Sequence, residues 1–127
     1  PFVLGGSVLV IDRAMLYDTA SLIDQLIATK VNLLQGTPSS IKPLLDFLTE
    51  EQIKQLSLEK ICLGGESLTP HIVDLLQAKL PHVQLNNHYG PTETTIDAVV
   101  AEKVTQFERN IIGRPLVNMQ AYILDRN

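Results

Sequence analysis

Twice in this chain a Thr-Pro pair stands between a short apolar run and an amphipathic stretch, at Thr37-Pro38 and Thr69-Pro70. Threonine suits the N-cap of a helix, and proline suits its first turn, where no backbone N–H is missed. Each pair therefore fixes where a strand-like run stops and a helix starts. The rest of the chain repeats that unit. Ser7 to Ile11 reads as a strand buried on both faces. Asp18 or Thr19 can cap a helix with Leu22, Ile23, Leu26 and Ile27 on one face. A second buried strand is expected at Val31 to Leu34, then a helix from Pro38 with a face of Ile41, Leu44, Leu45 and Leu48. A third strand, Lys60 to Leu63, turns at Gly64-Gly65 into a helix running from Pro70 to about Leu80. A fourth, Val83 to Asn87, leads into Tyr89-Gly90-Pro91, and later strands are expected at Ile96 to Val100 and Ala121 to Leu124.

Strand–helix–strand units at this spacing need right-handed crossovers and predict a mostly parallel, doubly wound sheet with helices on both faces. Without a Pro/Gly/Ser linker or a long repeat, residues 1–127 read as a single α/β unit. The composition narrows the partners. A net charge of −4, with Arg109, Arg114 and Arg126 scattered, offers no basic stripe for nucleic acid. The lone Cys62 gives neither a disulfide framework nor a thiolate metal cluster, which makes a reducing cytoplasm the expected compartment. No apolar run approaches the roughly 20 residues that span a bilayer, and Pro1 to Leu4 lacks a basic leader, so no membrane role is expected. The chain starts without Met and stops just after a strand-like run. It reads as an excerpt.

In such sheets ligands bind beyond the carboxyl ends of the strands. Those ends carry Gln35-Gly36-Thr37, Gly64-Gly65-Glu66 and Asn87 to Glu93. In the last of these, Tyr89 can lie flat against a nucleobase, and Gly90-Pro91 forces a turn. Thr92 can then cap a short helix whose backbone N–H groups suit a phosphate. Glu93 beside a phosphate needs a hard cation between them and reads as a magnesium ligand. On the residues alone, a plain turn in which Thr92 caps and Glu93 complements the helix dipole explains the segment equally well.

The run Tyr89-Gly90-Pro91-Thr92-Glu93-Thr94 resembles the core motif of the adenylate-forming enzymes, and Pro91 after Gly90 is typical of the adenylation domains of non-ribosomal peptide synthetases. Gly64-Gly65-Glu66-Ser67-Leu68 is similar to the family's adenine-side loop. Ile112-Gly113-Arg114-Pro115, with Asn118 to Asp125, resembles its Ile-Gly-x-Pro…Asn-x-Gln-x-Tyr-Ile-Leu-Asp segment. Leu4 to Val10 is similar to a strand entry of the same family. The likeness runs over essentially the whole chain and implies a flavodoxin-like subdomain of a larger adenylate-forming fold. The implied reaction joins an amino-acid carboxylate to the α-phosphate of ATP, giving aminoacyl-AMP and pyrophosphate. Such catalysis is mainly positioning and charge neutralisation.

By this resemblance Tyr89 stacks on adenine, with Asn87, His88, Gly90 and the Gly64-Gly65-Glu66 loop around the nucleotide. Thr92 and Glu93 are the catalytic pair: Thr92 holds the α-phosphate and Glu93 the Mg2+ ion. The amino-acid pocket falls on Gln35, Cys62, Gly64, His88, Ile96 and Asp97. The set is most similar to pockets for glutamine-like side chains, with arginine or another long polar side chain next. Cys62 also makes sense as a small buried hydrophobe, and His88 as a satisfied core histidine. Asp97, set in an apolar run, needs a partner in either case. The family's phosphate loop and α-amino anchor would precede Pro1. Its ribose-binding aspartate and C-terminal lysine would follow Asn127. The chain is therefore expected to be inactive alone, and its implied partners are the rest of the adenylation domain and adjacent carrier (phosphopantetheine-bearing) and condensation domains. The competing expectations are a non-catalytic folding module acting through binding or self-association, and a free-standing flavodoxin-like protein for another nucleotide. His71, His82 and His88 lack zinc-ligand spacing, and no Gly-x-Ser-x-Gly elbow places a serine nucleophile.

Overall fold

The computed structural model describes residues 5–105 and 111–125; Leu4, Arg109 and Arg126, used in the sequence argument, lie outside them. Among the described residues four α-helices and five strands follow in order: α1 (Thr19–Ala28), β1 (Leu33–Gly36), α2 (Pro38–Phe47), α3 (Glu50–Gln55), β2 (Lys60–Gly64), α4 (Pro70–Lys79), β3 (Gln84–Tyr89), β4 (Val99–Ala101) and β5 (Arg114–Pro115). The sheet order is β1-β2-β3-β4-β5. The first three strands are parallel, and β4 and β5 join antiparallel.

The caps explain the helix starts. Asp18 accepts from the Ser21 N–H at the head of α1. Thr37 and Ser40 form a reciprocal capping box, with Pro38 in the first turn of α2. Thr49 and Gln52 do the same for α3. Thr69 occupies the cap position of α4, but its side chain makes no capping bond, and Pro70 alone marks that start.

Register sorts the strand residues onto two faces. Leu34, Ile61 and Leu85 align in one row, and Leu63, Asn87 and Ala101 in a parallel one. Leu34, Ile61, Leu63, Leu85 and Ala101 share one apolar cluster with Ile23 and Leu26 of α1, Ile41, Leu44 and Leu45 of α2, and Ile72, Val73 and Leu76 of α4. The α/β class and mostly parallel sheet are as expected. The helices, expected on both faces, gather on one among the described residues. The reason is topological for α2, α3 and α4: strands laid down in the order β1-β2-β3 with crossovers of one hand place the connecting helices on the same side, and two-sided winding needs a reversal of strand order.

Four strand expectations change. Ser7 to Ile11 forms no ladder, and Val8 and Val10 are 49% and 85% exposed; an apolar run becomes a strand only when a neighbour takes its backbone bonds. The strand expected at Val31 to Leu34 lies at Leu33–Gly36 and is an edge, half-buried and not enclosed. Ala121 to Leu124 joins no ladder and is exposed. The last strand is instead Arg114–Pro115, and of the run Ile96 to Val100 only the end is strand.

Candidate functional site

Gly36, Gly64 and Tyr89 end three neighbouring parallel strands, and register keeps those ends together: Gly36 aligns with Leu63, and Gly64 with His88. The loops after β1 and β2 are locked to each other. Glu66 accepts hydrogen bonds from the Ser39 N–H at 2.9 Å and the Ser39 hydroxyl at 2.7 Å. The Ser39 hydroxyl bond, then the backbone bond, holds the Glu66 carboxyl below its ordinary range. Gly65 sits at φ +78°, a conformation that favours glycine. Sequence reasoning found Glu66 but missed Ser39; its only signal is a small hydroxyl in the first turn of a helix that faces the glycine loop.

Of the expected pocket set, Gln35, Cys62, Gly64 and His88 lie on the sheet face away from the helices. Gln35, Cys62 and Asn86 form one row there, and Gly64, His88 and Val100 the next. His88 Nδ1 is 3.0 Å from Asp97 Oδ2, so Asp97 finds its partner inside the expected set itself. Gly64 is required beside this pair: a Cβ there would stand 2.8 Å from the His88 carbonyl oxygen and 3.2 Å from its Cβ. Asp97 reaches His88 through a strained bend. Thr95 and Ile96 both carry positive φ, 64° and 76°, which β-branched residues rarely adopt. Gly90 fits under that bend, since an added Cβ would stand 2.3 Å from the Ile96 carbonyl oxygen.

Cys62 is buried, and that burial pushes its thiol up, with Asp97 adding to the effect and Lys60 opposing it. Ile96 is 70% exposed. A cavity of about 1160 Å³ lies at the β1 edge between residues 6–11 and the α1–β1 turn, and of the pocket set only Gln35 lines it. Geometry outweighs size here: His88, Asp97 and Gly64 converge, whereas that cavity is bounded by a segment without ladder bonds.

On the other side of the strand end, Asn87 is buried and donates from Nδ2 to the Ile111 carbonyl at 3.0 Å, tying β3 to residues 111–125. Tyr89 is half exposed at the end of β3. Thr92 is not a cap. It is the first residue of a 3-10 turn, Thr92–Thr94, whose N-cap is Pro91, and no side chain caps that turn. The reason is the brevity of the turn, which Thr94 closes by donating its hydroxyl to the Pro91 carbonyl. Glu93 is exposed in this turn. Among the described residues no three His, Cys, Asp or Glu side chains cluster as a metal cage. A single accessible carboxylate still fits magnesium, which is commonly held by one or two carboxylates plus substrate phosphates and water.

A mostly parallel sheet with these loops at its carboxyl edge is the architecture of the adenylate-forming domains. The chain belongs to the AMP-binding enzyme family, whose profile matches residues 1–127. It is 35% identical over 123 residues to tyrocidine synthase 3 of Brevibacillus parabrevis, covering 96% of this chain and 2% of that protein. Bacitracin synthase 1 of Bacillus licheniformis is 30% identical over 128 residues, covering 96% of this chain and 2% of its own length. Among solved structures, the four-domain nonribosomal peptide synthetase AB3403, in holo form bound to AMP and glycine, superposes with a TM-score of 0.80 at 37% identity over 96% of this chain and 9% of that one. The chain thus spans a small part of the relatives it matches, and corresponds to a piece of an adenylation domain.

Proposed function

We propose that this chain supplies the adenine- and substrate-facing part of an adenylation site, which activates an amino acid with ATP to aminoacyl-AMP for non-ribosomal peptide synthesis. One observation carries the reading: three parallel strand ends set Gly64, Tyr89 and the Pro91–Glu93 turn at one edge, while the same strands turn Gln35, Cys62 and His88 to the helix-free face. Tyr89 offers an accessible ring for adenine, bordered by Gly64, Gly65 and Glu66 on one side and Asn87, His88 and Gly90 on the other. The Ser39–Glu66 bonds hold that border rigid before a nucleotide arrives, so less ordering entropy is lost on binding. In this reading Thr92, in a turn without a side-chain cap, holds the α-phosphate. Glu93 is the magnesium ligand, and the ion when bound neutralises phosphate charge. The pocket of Gln35, Cys62, Gly64, His88, Ile96 and Asp97 suits a polar side chain, with glutamine-like substrates favoured.

The whole site needs the rest of an adenylation domain, and the parent works with carrier and condensation domains in the cytoplasm. The test is amino-acid-dependent ATP–pyrophosphate exchange by the intact protein that contains this chain. Glu93→Gln should lower the exchange rate about ten- to hundred-fold, the worth of a charge-assisted contact. Unchanged exchange would remove Glu93 from the site. A second reading, an interaction module without catalysis, draws on the exposed apolar side chains Val117, Tyr122 and Ile123 at 90%, 74% and 104%. Residues 1–127 alone should show no exchange; robust exchange would show that they hold a complete site.

A further inference from the structure

We infer that Ser39 is a positioning residue for the nucleotide. With Glu66 it forms a clip that fixes the Gly64–Gly65 loop to the head of α2, and Glu66 serves the nucleotide through that clip and not by touching it. The inference rests on the adenylation reading and deepens it.

The donors at the head of α2 define the clip. A helix leaves its first backbone N–H groups without partners inside the helix. Pro38, the first residue of α2, has no N–H to satisfy. The Ser40 N–H is taken by Thr37 Oγ1 at 3.3 Å. The Ser39 N–H is left over, and Glu66 Oε2 accepts it at 2.9 Å, while Glu66 Oε1 accepts the Ser39 hydroxyl at 2.7 Å. The single hydroxyl hydrogen of Ser39 is thereby used, so in the 3.0 Å contact between the two hydroxyls Thr37 donates to Ser39. Thr37, Ser39 and Glu66 make one directed chain of bonds. A helix N-terminus favours a carboxylate, and bonds to an ionised acceptor are the stronger kind. Both Glu66 oxygens are committed to Ser39. The neighbouring helix α4 starts at the same edge with no side-chain cap bond, so a cross-loop partner is not a general need of helix starts here.

The clip matters because the loop it holds is otherwise bare backbone. Gly64 is pinned on one side, since a Cβ there would stand 2.8 Å from the His88 carbonyl oxygen. Gly65 is not short of space: a Cβ would meet only Thr37 Cγ2, at 3.8 Å. Its φ of +78° is what calls for glycine, and that turn brings Glu66 back onto α2. The loop thus has two anchors, β3 at Gly64 and α2 at Glu66. Tyr89 follows His88 on β3, so the clip sets where the loop stands relative to that ring. Without it, glycine's conformational freedom returns to the loop, and binding must supply the ordering.

The test is ATP–pyrophosphate exchange by the intact protein that contains this chain, using whichever of the twenty amino acids supports the fastest exchange. ATP and that amino acid are titrated separately, because KM values do not depend on how much of a variant folds. Ser39→Ala should raise the KM for ATP about two- to ten-fold, the worth of ordering one side chain and its loop in advance, and leave the amino-acid KM within about two-fold. Ser39→Thr, which keeps both donors, should stay near wild type. Glu66→Ala should raise the KM for ATP at least as far as Ser39→Ala does. Adding Ser39→Ala to Glu66→Ala should then change nothing more, because coupled residues are not additive. Additive effects in the double variant would mean that Glu66 meets the nucleotide itself, and the inference is overturned. It is also overturned if Ser39→Ala leaves the KM for ATP unmoved, or raises both KM values together. If no amino acid supports exchange in the wild type, the adenylation reading falls and the inference falls with it; exchange in the wild type with an unmoved Ser39→Ala variant sinks the inference alone.

Discussion

The two faces of one sheet do opposite jobs within single residue steps. On the helix side, Ile61, Leu63 and Leu85 are at most 2% exposed and belong to the core. On the other side lie the intervening residues Cys62, Asn86 and His88: Asn86 Oδ1 accepts from the Gln84 side chain and the Lys103 N–H, and His88 Nε2 has no partner among the described residues. A strand alternates its side chains with period two, so one stretch of backbone is held still by one face and presents chemistry from the other. The contrast shows why a site can tolerate strain at Thr95–Ile96 and an unmatched ring nitrogen at His88: the stabilising contacts are made elsewhere, on the same strands.

The sharpest way to break this contrast is to truncate neighbours in β2. Leu63→Ala should destabilise the fold by about 2–5 kcal/mol, through lost burial plus the cavity left behind. Cys62→Ala, one residue away on the other face, should cost about 1 kcal/mol. Urea unfolding curves of both variants decide the matter, and equal losses would mean that both faces are core. Gly90→Ala should cost about 1–3 kcal/mol, because the new methyl meets the Ile96 carbonyl backbone and not a side chain that can yield.

A change of sign is expected at the bend. Ile96 is exposed and held at φ 76°, so Ile96→Gly should raise stability by about 1 kcal/mol, relieving a strain of roughly that size. A loss of stability there would show that Ile96 packs against something and that the bend is not strained. The smallest effect is on pH dependence. Glu66 and Asp18 both have their carboxyls lowered, each chiefly by a serine hydroxyl: Ser39 for Glu66 and Ser21 for Asp18. A lowered folded-state value means the stabilisation is present above the unfolded value and is lost as pH falls through the folded one. Stability should therefore decline from about the ordinary carboxyl values of 4.5 for Glu66 and 3.8 for Asp18 downward. Ser39→Ala should flatten the first part of that decline, and thermal melts between pH 3 and 7 would show it. An unchanged profile would mean that the Ser39–Glu66 bonds are not formed in solution.

The residues themselves determined the order and type of the central elements. Thr37-Pro38 and Asp18 placed two helix starts through local hydrogen bonds, and the apolar spacing of Ile41, Leu44 and Leu45 marked a buried face, because these effects act within a few residues. The motif around Tyr89 and the glycines at 64 and 65 marked the carboxyl edge for the same reason: turn chemistry is local. Other features needed the assembled sheet. Ser7 to Ile11 has the composition of a strand, yet a strand exists only where a neighbour completes its ladder. Whether helices cover one face or two depends on strand order, which no single segment encodes. That Asp97 pairs with His88, and Glu66 with Ser39, follows from side chains 9 and 27 residues apart being brought within hydrogen-bonding reach. Electrostatic partners are chosen by distance in space, and only the fold sets that distance.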